Sequence, residues 1–342
     1  MNDRLSRIRR SANYNGKTFQ NLTATPHTLV PGSTQRMLKQ QWFGGEQRRP
    51  LGALPLAWPG IAAHATPPAS GVRVTWLGHS SLLLELGNVV ILSDPVWAER
   101  LSPVPLVGPS RFHPPPILLN QLPTIDLVLL SHDHYDHLDK AVIQFLAHQT
   151  MPFVTALGVG MYLETWGIAP ERIHELDWWE DVALPELGLH ITAVPAQHFS
   201  GRTLRRNTTL WSSWVVMHEN QRVYVGCDSG FFAGFAEIGE RCGPFDFASL
   251  EIAQYGEAWP DIHMTPEQTV AACLALRANV LLPVHWGTYC LSFHAWDEPI
   301  ERLLVCAEEQ NLRVITPRLG EPIEPANEHT QSPWWRSVGT RD

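Results

Sequence analysis

From residue 72 onward the chain alternates between two textures. The runs VRVTWLG, SLLLELG and VVILSDP are short, aliphatic or β-branched, and stop at Gly or polar turns, which predicts strands at the start of a sheet. LVLL at 127–130 is apolar at every position and suits a strand covered on both faces. Residues 140–148, KAVIQFLAH, then carry helical apolar spacing. PFVTAL, GVGMYLETWG and IHEL continue as strand, helix and strand, and residues 188–200, GLHITAVPAQHFS, predict a strand ending in His198. TLWSSWVVMHE and RVYVGCDSGFF predict a hairpin. FFAGFAEIGERCG predicts a helix, FDFASLEI a strand, and PEQTVAACLALRA a helix with Pro266 near its first turn. NVLLPVHWGTY gives a last core strand; residues 297–311 and LRVIT close the pattern with a helix and a strand.

Residues 1–70 lack this periodicity. They are rich in Arg, Gln and Pro, and LGALPLAWPGIAAHA is broken by Pro55 and Pro59, so an extended arm that packs on the body is expected. The body spans 71–320. A tail, 321–342, is expected to be extended and to tuck Trp334 and Trp335 against it. Between Trp97 and Leu122 the chain is dense in Pro, and a loop of that length in a compact domain suggests a functional role. No short-period repeat occurs, which excludes a repeat protein.

At 342 residues and 44% hydrophobic composition the chain can bury a large core. The net charge of -9 is unevenly spread: residues 1–50 hold nine Lys or Arg against two acids, or +7, leaving -16 for the rest. An acidic body disfavours nucleic acid as a partner. Five scattered cysteines without C-x-x-C spacing fit free thiols in a reducing compartment. The start has charge but no apolar segment of a signal peptide, and no run approaches the ~18 apolar residues of a membrane span. A cytoplasmic protein is expected, with at most peripheral membrane contact through the basic arm. A homodimer is left open.

The chemistry concentrates in Leu127 to Asp139, LVLLSHDHYDHLD, where four apolar residues run into His132, His134, Asp136 and His137. Neutral imidazole and carboxylate are the ligands of zinc and other borderline divalent metals, and unpaired polar groups there would carry a desolvation cost. The cluster follows a strand's carboxyl end, where open α/β sheets place ligands. His198 and His285 end later strands and are further candidate ligands; Asp228 does so between Gly226 and Gly230, which allow close approach. His79 and Asp94 are polar groups released at strand ends. Arg111 in GPSRF, and Arg202 with Arg205 and Arg206, are candidate contacts for an anionic substrate.

His-x-His-x-Asp-His, together with VTWLGHSSLLLE, SDP, GPSRF, VPAQHFSGRT, GCDSGF, GPFD and HWGTY, resembles the metallo-β-lactamase superfamily. Within it the chain looks most like the N-acyl-phosphatidylethanolamine phospholipase D group and its bacterial relatives, from about Val72 to Gly320. The resemblance implies a four-layer αββα sandwich and places His79 and Asp94 beside the metal site. It also implies that Asp228 bridges two metals, His132, His134 and His198 serving one and Asp136, His137 and His285 the other. Two zinc ions per chain are expected, with iron or manganese as alternatives. A shared hydroxide would be the nucleophile, so no Ser or Cys is needed.

His263 and Tyr255 are the candidates to hold an oxyanion or protonate a leaving group, and Asp136 counts as both ligand and catalytic carboxylate. The resembled group also has an active-site His just ahead of the Pro that matches Pro266. Glu251 departs from the pattern, standing where the lipid enzymes carry Pro. No Lys or Arg occurs between Arg241 and Arg277, which makes this wall less suited to phosphate. The expected activity is a phosphodiesterase of the phospholipase D type acting on a small-molecule or lipid-like ester. A lactone or amide hydrolase is the alternative. A di-iron redox protein is remote, since His134 stands where related flavoproteins carry Glu.

Overall fold

In the computed structural model, residues 2–24, 30, 32–104, 106–202, 205–328 and 332–338 are described. The first half of the body builds one mixed sheet from β1 (Val72–Gly78), β2 (Ser81–Leu86), β3 (Val89–Ser93), β4 (Leu127–Leu130), β5 (Phe153–Ala156) and β6 (Ile173–Leu176). The second half builds another from β7 (Asp181–Leu184), β8 (Leu189–Val194), β9 (Ser213–His218), β10 (Gln221–Val225), β11 (Phe247–Glu251), β12 (Val280–Val284) and β13 (Arg313–Val314). β14 (Pro322–Ile323) returns to the first sheet and pairs with β1, Val74 opposite Ile323. The orders are β14-β1-β2-β3-β4-β5-β6 and β13-β12-β11-β10-β9-β8-β7.

Each sheet opens with antiparallel pairs and ends with parallel ones, from β3 onward in the first and β10 onward in the second. Two antiparallel steps restore direction. The carboxyl ends of β1, β3 and β4 therefore share one edge, and those of β8, β10, β11 and β12 share one edge of the other sheet. His79, Asp94 and the His132 loop leave the first edge; His198, Asp228, Glu251 and His285 leave the second.

Burial follows the pleat. Leu127 and Leu129 of β4 join the core shared with the second sheet, while Val128 and Leu130 pack on the other face with Val142, Ile143 and Leu146. Those three belong to α3 (Lys140–Leu146), which follows two helices of the arm, α1 (Asn2–Arg10) and α2 (Ser33–Phe43). α3 and α4 (Gly160–Thr165) lie on the first sheet; α5 (Gly234–Cys242), α6 (Pro266–Ala275) and α7 (Glu298–Glu309) supply Ile238, Val270 and Leu303 to the core of the second. The architecture is the αββα sandwich.

Three expectations are corrected. The arm is not simply extended, because it carries α1 and α2. α1 docks by charge: Arg4 pairs with Glu164 at 2.5 Å and with Glu175, and Arg7 pairs with Glu180 at 2.5 Å. Phe19 beyond it is fully buried. Second, β8 stops at Val194 and His198 sits in the loop beyond, since Pro195 has no N–H to continue the ladder. Third, the tail contributes β14 and a short 3-10 turn at Trp334–Ser337. Both tryptophans of that turn are buried, with Trp334 stacked on Trp286. Thr203 of the VPAQHFSGRT motif and residues 339–342 of the tail lie outside the described residues.

Candidate metal centre

The loop after β4 is held before any ligand is considered. Asp94 accepts from the Ser131 amide at 2.7 Å and from Ser131 Oγ at 2.5 Å, and Asp139 caps α3 through the Ala141 amide. His132 Nε2 then faces His134 Nδ1 at 2.9 Å, and His198 Nε2 approaches the same nitrogen at 3.3 Å. Asp228 Oδ2 lies 3.1 Å from His137 Nε2, 3.0 Å from His285 Nε2 and 3.8 Å from His198 Nε2. Asp136 Oδ2 lies 3.5 Å from His285 Nε2 and 3.8 Å from His137 Nε2. All seven candidate ligands from the sequence thus meet at one place, with donor atoms in overlapping groups within 4.8 Å.

Neighbouring groups fix the rings. Asp94 Oδ2 lies 2.8 Å from His137 Nδ1, His79 Nε2 lies 3.0 Å from Asp136 Oδ2, and the Ile262 carbonyl lies 2.9 Å from His198 Nδ1. Such partners orient ligand side chains and set the tautomer. His79, Asp94 and His285 adopt φ of 51°, 39° and 66°, a left-handed backbone that non-glycine residues avoid and that concentrates at functional sites. Asn21 of the arm brackets His198, accepting from its amide at 3.1 Å and donating to its carbonyl at 2.8 Å.

The electrostatics of the bare site fit a cation. Burial, reinforced by neighbouring imidazoles, holds His132 and His198 well below the usual histidine range. Burial also lowers His134, against the pull of Asp136. Burial would raise Asp136 and Asp228, but His137 and His285, with His79 at Asp136, together overcome it and keep both well below the carboxylate range. Burial would lower His137 and His285, but the same carboxylates together overcome it: His137 is raised, and His285, with Glu251 adding to them, is pushed up to about 10. Among the described residues, Asp228 Oδ1 and both ring nitrogens of His285 have no hydrogen-bond partner despite their burial. Converging neutral imidazoles and anionic carboxylates with orphaned donor atoms fit divalent metal.

A family model described as the β-lactamase superfamily domain matches residues 90–286. The chain belongs to the β-lactamase superfamily. It is 38% identical over 268 residues to N-acyl-phosphatidylethanolamine-hydrolyzing phospholipase D 1 of Caenorhabditis elegans, covering 74% of this chain and 75% of that one. An uncharacterized protein of Mycobacterium tuberculosis is 44% identical over 331 residues, covering 95% and 88%. In fold it matches Igni18, a metallo hydrolase of Ignicoccus hospitalis, with a TM-score of 0.57, 24% identity and coverage of 74% and 97%. The protein is a metal-dependent hydrolase of this superfamily.

Three candidate site residues of the hydrolase sit elsewhere than the sequence suggested. Arg111 is buried and gives Nε and Nη1 to the carbonyls of His113 and Val96 and the Tyr289 hydroxyl, while Nη2 has no hydrogen-bond partner among the described residues. Arg202 donates to the carbonyls of Asp133 at 3.0 Å and Leu138 at 2.5 Å, with its guanidinium 4.1 Å from the Tyr135 ring centroid. It clamps the ligand loop instead of facing a substrate. Tyr255 is not brought to the cluster: its hydroxyl donates to Glu298 and accepts from Arg302, both at 3.0 Å.

His263 does reach the centre. Its ring stacks on His285 with centroids 5.3 Å apart and meets His198 edge-on at 5.1 Å. Its Nδ1 lies 2.6 Å from Glu251 Oε2. Glu251 is the functional residue the sequence reading passed over, having marked it only as a departure from a pattern. The signal was available, because a carboxylate closing the apolar strand FASLE must find a partner when buried.

Proposed function

We propose that the protein is a di-zinc phosphodiesterase of the phospholipase D type. The observation that carries this reading is the paired ligand set: His132, His134 and His198 on one side of Asp228, Asp136, His137 and His285 on the other. The 38% identity to a phospholipase D supports the substrate class. Held by these seven residues, two zinc ions would supply a hydroxide from water at neutral pH and would neutralise charge on a phosphoryl group. The chain's own contribution is orientation and proton delivery. Asp94 and Ser131 hold the ligand loop, and Asp228 spans the two sets. His263, mostly buried against the centre and outside the seven, protonates the leaving alkoxide as the P–O bond breaks, giving a phosphomonoester and an alcohol.

A lipid-like substrate accords with α2, which exposes Arg36, Lys39, Trp42 and Phe43 and so suits transient contact with an anionic lipid surface. No helix among the described residues is long and apolar enough to cross a membrane. The five thiols are unpaired, which accords with a reducing compartment.

A lactone or amide hydrolase is the second reading. It is favoured by the lack of any Lys or Arg between Arg241 and Arg277, and by the commitment of Arg202 to main-chain carbonyls. A turnover panel on the zinc-loaded protein separates the two. Bis(4-nitrophenyl) phosphate and N-acyl-phosphatidylethanolamine vesicles form one arm, an acyl-homoserine lactone and an acyl anilide the other. Turnover confined to the second arm overturns the phosphodiesterase.

A further inference from the structure

The Glu251 carboxylate turns one oxygen to the His263 ring, with His285 Nδ1 farther off at 3.7 Å from the same oxygen. Its side chain is buried at the end of β11, and Oε1 accepts two main-chain amides, Ser229 and Met264, each at 3.0 Å. That leaves Oε2 for His263 Nδ1 at 2.6 Å. The Glu251 carbonyl is held by Thr269 Oγ1 at 2.7 Å, from α6. The carboxylate therefore has no freedom to turn away from the ring. The pattern that this chain resembles carries Pro at this position, so nothing in that resemblance supplies the pair.

We propose that Glu251 is the positioning residue of His263: it keeps the proton on Nδ1, so that Nε2 is the atom through which the ring exchanges protons with the substrate. The proposal rests on the proposed role of His263 as proton donor. An acceptor-only carboxylate demands a donor at Nδ1. The protonated ring then carries its second proton on Nε2. When the bond to the leaving oxygen breaks, that oxygen takes the Nε2 proton, the ring is left neutral with Nδ1–H still on Glu251, and solvent water restores the proton. An orienting carboxylate behind a catalytic imidazole acts in the same sense, holding tautomer and direction without itself becoming protonated.

Glu251→Gln isolates this role. The amide oxygen can still accept from Ser229 and Met264, but its NH₂ then faces Nδ1 and demands an acceptor there, driving the proton to Nε2. Nitrogen-15 NMR of the zinc-loaded protein, with the His263 signal assigned by His263→Gln, should show Nδ1–H in the parent and Nε2–H in Glu251→Gln. The same tautomer in both overturns the proposal. With N-acyl-phosphatidylethanolamine vesicles, whose leaving group is an alkoxide, Glu251→Gln should lower kcat about 10- to 10²-fold with KM within about twofold. In a His263→Ala background it should lower kcat no further, because the carboxylate acts through that ring. Additive losses, or loss of zinc from Glu251→Gln, would make it a structural residue and overturn the proposal. If the parent turns over no phosphodiester, the phosphodiesterase reading fails while the tautomer measurement still decides the role of Glu251.

Discussion

Asn21 and His198 exchange hydrogen bonds in both directions across 177 positions of sequence, and the same Asn21 Oδ1 accepts from Trp211 Nε1 at 3.1 Å. A residue of the arm thus fixes the main chain of a candidate ligand. Asn21→Ala leaves the His198 amide and carbonyl unpaired, at a cost of about 1–3 kcal/mol. Metal binding at one of the two positions should weaken about 10- to 100-fold in chelator competition. Unchanged affinity would detach the arm from the centre.

Cation binding should expel protons. In the bare protein His137 is raised well above its ordinary range and His285 to about 10, so both are protonated at pH 7. Groups with raised pKa hold their protons below that pKa, and a cation must displace them. Zinc titration in buffers of different ionisation enthalpy should reveal about two protons released per chain at pH 7, with affinity rising as pH rises. Binding without release would mean that these rings stay protonated and are not ligands.

Removing the central carboxylate should cost more than removing an outer ring. Asp228 lies within 3.8 Å of His137, His198 and His285, whereas His132 faces His134 at 2.9 Å and joins His137 and Asp228 only within 4.8 Å. Asp228→Ala is expected to lose both metal equivalents, and His132→Ala mainly one, by elemental analysis after gel filtration. Hydrolytic activity should fall with occupancy in each.

His263→Ala should keep both metals and the fold yet lose about 10²- to 10⁴-fold in turnover of a diester with an alkoxide leaving group. The loss should shrink for a nitrophenolate, which needs little protonation. Equal losses on the two substrates would show that His263 positions the substrate instead.

Arg202→Lys tests the clamp on the ligand loop. Lysine can reach the carbonyls that Nη1 serves but cannot stack on Tyr135 and Trp166 as a planar guanidinium does. Thermal or urea unfolding should register a loss of about 1–3 kcal/mol, with KM unchanged once metal is replenished. A raised KM without lost stability would return Arg202 to the substrate.

What could be read from the sequence divides by the range of the interaction. LVLL, VVIL and VLLPV declare themselves as strands because both faces of each are buried, and the ligand loop does so because its spacing is local. α1 was illegible, since its docking uses Arg4 and Arg7 against acids at 164–180 and leaves no apolar stripe. Arg111, Arg202 and Tyr255 were visible as side chains, but their partners are main-chain carbonyls or residues of a later helix. Sequence reading sees a charge and not what already occupies it.

The pairing of β14 with β1 carries a consequence for the order in which the chain is made. A ribosome delivers Val74 and Thr75 roughly 250 residues before Pro322 and Ile323, their partners, at about 5–20 residues per second. For that interval β1 is an open edge, able to recruit strands from other chains. All seven candidate ligands, the last at 285, emerge ahead of the closing strand. Trp334 arrives later still and settles on Trp286, the neighbour of His285. Translation therefore delivers every candidate ligand before the strand that seals the sheet beside them.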